Sequence, residues 1–294
     1  SNMSPFKGFF FGYTKLYDSV KKANEKAAEQ IAMYEKMFGE AWKENAITDG
    51  LINEFGEPLY TKQNTTTFQS FLIGKKIPKV QMENNAFGFF EMPNSGEVKP
   101  GVVYVRDPAN FVPEFGKVYM FKGTCKDENK DVVNISTGIN TSKLVELDDD
   151  FDYDEFVTLA EDLLEDNCAA FEDVYDIEGK DVRGEYKEKK FLLAEAIIAK
   201  ISLFEKYAYV EVTPLDEGFE GNVSFNCALN IANKLCEQAV GIVCFKPWFR
   251  KKEIPAGDLL GFVTDPKFSR PEDLYEIAED VETTDALVED DDFL

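Results

Sequence analysis

No part of the sequence restricts the fold more than the stretch from Phe191 to Thr264. Phe191–Leu203 is apolar almost throughout, interrupted only by Glu195, Lys200 and Ser202, and reads as one long strand. A tight Glu205-Lys206 turn leads to a second strand, Tyr207–Thr213, and Asp216-Glu217-Gly218 breaks the chain. A third strand over Asn222–Cys227 runs into a short helix, Leu229–Gln238. Strands Ala239–Lys246 and, beyond Pro255-Ala256-Gly257, Leu259–Thr264 close the unit. The predicted order is strand, strand, strand, helix, strand, strand.

That order, with the helix between strands three and four, is the layout of the OB-fold, a five-stranded partly open barrel. The barrel needs a long, coiled first strand that serves both of its halves, and Phe191–Leu203 is long enough. In element order and composition, Phe191–Asp265 resembles an OB domain of the replication protein A and single-stranded-DNA-binding type. The resemblance spans a quarter of the chain.

Residues 4–143 are predicted to be β-rich with one large helical insertion. Phe6–Tyr13 reads as a strand, and Val20, Ala23, Ala27, Ile31, Tyr34, Phe38 and Ala41 then recur three or four residues apart, as one helix face requires. Short strands are predicted at Thr67–Ile73, Ala86–Met92, Val102–Arg106, Lys117–Gly123 and Asp131–Ser136, separated by Gly, Pro and Asn. This block is a candidate second OB barrel, which makes the chain mainly β with helical insertions, α+β overall. The opening Ser1-Asn2-Met3 reads as a tag-cleavage scar and is left out of the fold argument.

The net charge of −24 argues at first against a nucleic-acid partner, but it is unevenly placed. Residues 1–143 carry 18 basic and 17 acidic side chains, and residues 183–270 carry 13 and 12. Residues 144–182 carry 1 and 16, and residues 271–294 carry 0 and 11. Two nearly neutral folded blocks are thus joined by an acidic connector and followed by an acidic tail, and such runs are often solvated rather than part of a working surface. Within the connector, Phe156, Leu159, Ala160, Leu163 and Leu164 predict an amphipathic helix from Asp154 to about Asn167, read as a solvated connector with a very acidic outer face. The ending Val288-Glu289-Asp290-Asp291-Asp292-Phe293-Leu294 is similar to the acidic, apolar-ended tails of bacterial and phage single-stranded-DNA-binding proteins. It lacks the Pro those endings place before the final Phe. The resemblance implies that Asp290, Asp291, Asp292, Phe293 and Leu294 bind replication or repair proteins.

The chain has no histidine, which removes Ser-His-Asp and Cys-His catalysis and His-containing zinc sites. Its five cysteines, Cys125, Cys168, Cys227, Cys236 and Cys244, include no C-x-x-C pair, so no metal site and no cofactor are expected. Neither a P-loop nor a G-x-G-x-x-G fingerprint is present, and the expectation is a binding protein rather than an enzyme. No apolar run is long enough to span a bilayer, and a reducing, cytoplasmic setting without membrane partners is expected.

Holding single strands requires cations that track phosphates and aromatic faces on which bases stack. Lys206-Tyr207-Ala208-Tyr209 places two tyrosines on one strand face, and Phe245, Lys246, Trp248, Phe249, Arg250, Lys251 and Lys252 gather aromatics and cations where strand four meets the loop to strand five. In the first block the candidates are Lys75, Lys76 and Lys79, with Tyr119, Phe121 and Lys122 on a predicted strand. The expected partner is single-stranded DNA, with RNA the alternative, and the expected role is replication, recombination or repair. The competing expectation is an acidic adaptor or nucleic-acid mimic whose OB-like units bind protein.

Overall fold

The structure is a computed structural model that describes residues 3–17, 19–56, 84–176 and 189–264, with short strand segments at 61–62, 67–69, 71–72, 75–76, 80–81 and 282–283. The first barrel is built from β1 (Ser4–Tyr13), β2 (Asn85–Glu91), β3 (Val98–Val105), β4 (Val118–Gly123) and β5 (Val133–Ile139). β1 pairs antiparallel with both β2 and β4, β2 with β3, and β3 runs parallel to β5. A bridge between Cys125 and Ile135 closes the circuit. The resulting order is 1-2-3-5-4-1, that of an OB barrel.

Between β1 and β2 lies the helical insertion, α1 (Ser19–Phe38) and α2 (Trp42–Thr48). Tyr34, Ala46, Leu51 and Ile52 form a small buried cluster of their own, tied by the Tyr34 hydroxyl donating to Asp49 at 2.7 Å. Buried Asn84 clamps the neck of the insertion. It accepts from the Tyr17 N–H at 2.9 Å and donates to the Tyr17 carbonyl at 2.8 Å.

The second barrel repeats the same order with β6 (Leu192–Leu203), β7 (Ala208–Pro214), β8 (Val223–Cys227), β9 (Val240–Arg250) and β10 (Ile254–Thr264). β6 pairs with β9 through Leu192–Ile197 and with β7 through Ala196–Leu203, kinking at a bulge between Ile198 and Lys200. Thus one strand serves both halves, as its length requires. β8 runs parallel to β10. The helix after β8 is only one turn, α5 (Leu229–Ala232), shorter than the predicted Leu229–Gln238. The helix is capped at Asn233, and Gln238, the last residue of the predicted helix, takes a left-handed φ of 68° that no helix accommodates.

The acidic connector is not a free strap. α3 (Tyr153–Asp166) is capped by Asp152, whose carboxylate accepts the Glu155 N–H at 3.0 Å. Its inner face, Phe156, Ala160 and Leu164, is buried against residues of both barrels. Beyond it, α4 (Phe171–Val174) plugs the second barrel: the Phe171 ring stacks on Phe245 with centroids 5.4 Å apart, and the Tyr175 hydroxyl donates to the Ala256 carbonyl. The expectation of a solvated connector is corrected on its inner face, because its apolar residues complete the core.

The barrels meet across β1 and β10. Phe11, Phe87, Phe89 and Phe191 pack with centroids 5.0–5.1 Å apart. Gly12 and Gly261 let the two backbones touch: a Cβ on Gly261 would overlap the Phe11 carbonyl oxygen, and one on Gly12 would meet the Cys244 sulfur at 2.7 Å. At the far end, Glu282–Thr283 pairs in parallel with Ser202–Leu203 on β6.

Candidate nucleic-acid interface

Register defines the site. Across four neighbouring strands of the second barrel, Tyr209 on β7 stands opposite Asn226 on β8, Asn226 opposite Asp258 on β10, and Asp258 opposite Lys246 on β9. Directly opposed residues share a sheet face, so this is one row of side chains on one surface. Trp248 and Arg250, two and four residues beyond Lys246, extend the same face.

These groups interlock. The Arg250 guanidinium lies 5.1 Å from the Tyr209 ring centroid and 5.4 Å from that of Trp248. Its Nη2 donates to Asn226 Oδ1 at 3.2 Å. Tyr209 is backed by Tyr207 and Phe204, with centroids 5.9 and 5.7 Å away. Three enclosed donors on this face, Asn226 Nδ2, Trp248 Nε1 and Arg250 Nε, lack a well-formed hydrogen bond. Burial pushes the Asp258 carboxyl up to about 6, partly offset by the Trp248 indole, which faces it without ordinary hydrogen-bond geometry, and by the Lys246 charge.

β9 and β10 pair right up to Arg250 opposite Ile254, so the segment predicted as a strand–loop junction is a hairpin arm with a three-residue tip. Lys251 and Lys252 sit in that tip with φ of 50° and 67°, both left-handed and both exposed. Two successive positive φ values are those of a type I′ turn, which favours Asn-Gly. A strained backbone here holds two cations at the arm's end.

The sequence candidates therefore separate. Tyr209, Lys246, Trp248 and Arg250 come together on one face, and Lys251 and Lys252 lie at the tip that continues it. Tyr207 supports Tyr209 but is itself buried, and Lys206 is exposed in the β6–β7 turn. Phe245 and Phe249 are corrected: period-two alternation sends them to the opposite side, where Phe245 is fully buried on Phe171 and Phe249 meets the Tyr175 ring edge-on. Phe121 is likewise core, packed on Phe6, Phe10 and Phe90. Tyr119 packs edge-on against Phe10 and Phe111, and its hydroxyl accepts the Glu114 N–H. Lys122 is exposed on β4. Lys75 and Lys76 belong to a short backbone pairing with Phe71–Leu72, while Lys79 and the Asp290–Leu294 tail lie outside the described residues.

Asn226, Asp258 and the inter-barrel lysines Lys15 and Lys190 were not singled out by sequence reasoning. A polar residue inside a strand reads as solvent-facing until its register is known. Among the described residues no group of acidic or cysteine side chains is arranged to hold a metal ion, and no helix is long and apolar enough to cross a membrane.

No protein-family model matches the sequence, and no curated protein matches it. Among solved structures, the p204 HINb domain is 11% identical, covering 60% of this chain and 81% of its own, with a TM-score of 0.30. The Ifi202 HINa domain in complex with a 20-bp double-stranded DNA is 10% identical over 61% of this chain and 85% of its own, at 0.27. A murine DNA-binding protein bound to double-stranded DNA is 10% identical over 64% and 90%, at 0.26. Similarity of this order leaves the functional assignment to the site's own chemistry.

Proposed function

We propose that this chain is a single-stranded nucleic-acid-binding protein, with DNA the preferred partner, that holds the strand on the outer face of its second barrel. One observation carries the reading: three enclosed donors without proper acceptors lie among the Tyr209 and Trp248 rings and the Arg250 guanidinium. A single strand supplies what this surface lacks, because unpaired bases offer flat faces to stack and its phosphates and base carbonyls offer acceptors. Lys246, Lys251 and Lys252 extend the positive track. The chemistry is binding and not catalysis, and the role it suits is protection of exposed strands in replication, recombination or repair.

The acidic terminal segment belongs to the same reading. Residues 271–294 carry eleven acidic and no basic side chains, and the backbone at Glu282–Thr283 pairs with Ser202–Leu203, beside the strand that carries Tyr209. In the absence of nucleic acid this segment competes for the cationic face, and when displaced it is free to recruit partner proteins. Deleting residues 271–294 is expected to tighten binding most at low salt, where the competing charge is least screened. Unchanged low-salt affinity removes the tail from the mechanism.

The direct test is fluorescence anisotropy of the full chain with oligo-dT, oligo-rU and a duplex of equal length. The expected result is tightest binding to oligo-dT. A second reading, an acidic mimic that binds protein, draws on the ordered acidic face of α3, where Asp154, Glu155, Asp162 and Asp166 are exposed. Failure of the tail-deleted chain to bind any single strand at low salt decides for that second reading.

A further inference from the structure

Where the barrels meet, the interface opens into a cavity of about 370 Å³ beside the Asn226–Asp258–Lys246 row. Its wall is drawn from both barrels, with Lys15 and Phe87 on one side, Asn226, Lys246 and Asp258 on the other, and Lys190 from the segment that enters β6. That volume lies at the small end of the range for ligand sites, about 300–1,000 Å³, with room for one nucleotide but not for a duplex or a folded peptide.

The polar groups in the wall are specific. Asn226 is only 2% exposed. Its Oδ1 is taken by Arg250, which leaves Nδ2 as a buried donor with no partner. Leaving a buried amide donor unsatisfied is destabilising, so an acceptor brought to this atom is favoured. Directly across the ladder, Asp258 brings a carboxylate to the same cavity. An ionised carboxylate accepts through two oxygens, so it is best matched by two adjacent N–H groups.

We propose that this cavity takes one unstacked base from a bound strand and selects guanine. Guanine's Watson–Crick edge presents two neighbouring donors, N1–H and N2–H, next to the O6 acceptor. The Asp258 carboxylate accepts both donors, and Asn226 Nδ2 donates to O6. Thymine, cytosine and adenine each leave one carboxylate oxygen without a base donor. Lys15, Lys190 and Lys246 stand around the cavity for the phosphates on either side of the selected base. This inference rests on the strand-binding reading and sharpens it, from stacking without preference to a strand carrying one position that is read.

The test uses the full chain and anisotropy with a labelled oligo-dT in which one central position is replaced by dG, dA, dC or deoxyinosine. The dG oligonucleotide is expected to bind about tenfold more tightly than oligo-dT, within the range for a bidentate base contact. Deoxyinosine, which lacks the N2 amine, is expected to lose most of that gain. In Asp258→Asn the dG-to-dT affinity ratio falls to about one. If oligo-dT binds but dG, dA and dC do not differ, the base pocket is overturned while strand binding stands. If deoxyinosine matches dG, the pairing of Asp258 with N1–H and N2–H is overturned. If no single strand binds at all, the reading on which the pocket rests falls with it. The base series needs no variant, so it remains decisive even if Asp258→Asn does not fold.

Discussion

Asp258 titrates in the range where its surroundings can be interrogated directly. Its folded pKa is raised, mainly by burial, to about 6, above that of an unfolded aspartate. The protonated form is therefore favoured by folding: the Asp258 contribution is complete below about pH 4 and is lost as the pH rises through about 6. Asp258→Asn removes that dependence. In urea titrations the variant is expected to gain on the parent between pH 4 and pH 7 by on the order of 2 kcal/mol, and a constant gap would show a well-solvated carboxyl. Two neighbouring residues are tested by affinity. Trp248→Ala is expected to weaken single-strand binding by about 1–3 kcal/mol, the usual worth of one stacking platform. Arg250→Lys keeps the charge but loses the contact with two rings and the bond to Asn226, so affinity drops while the salt dependence stays unchanged. Tyr209 was legible because tyrosines at period two mark a strand face, and Trp248 and Arg250 because aromatics and cations cluster there, although that cluster read as a loop junction. Asn226 and Asp258 were not, because which strands pair, and in what register, is a long-range property.

The strands themselves were largely readable. Alternation and turn chemistry placed each barrel strand to within a few residues, and the element order of the second block matched the OB layout. What local pattern missed was where faces point. The run from Phe245 to Arg250 is a continuous strand, so its aromatics divide between core and surface instead of gathering in a loop. α3 shows the same limit, since its acidic outer face masked an inner face buried between the barrels. Leu164→Ala is expected to cost about 2–5 kcal/mol, whereas a solvated connector would tolerate it; a chemical melt separates the two. The β9–β10 tip poses stability against function. Replacing Lys251-Lys252 with Asn-Gly relieves two left-handed lysines and is expected to raise Tm, while nucleic-acid affinity falls and the salt slope shrinks by roughly 1.4. An unchanged slope would mean that neither lysine meets a phosphate.

The two barrels share a core as well as a boundary. Residues of β1, β2, α3, β6, β9 and β10 form one buried cluster, and Gly12 and Gly261 bring the backbones into contact. Calorimetry is accordingly expected to show one transition for both barrels. Gly261→Ala, which forces the Phe11 carbonyl away, is expected to lower it by several degrees or split it in two. Such docking has a metrical consequence. OB units strung on supple linkers can gather or pay out nucleotides as conditions change, whereas two barrels locked face to face behave as a calibrated gauge. On the strand-binding reading, the number of nucleotides covered by each molecule is therefore expected to stay the same from low to high salt, and a titration of site size against salt checks it.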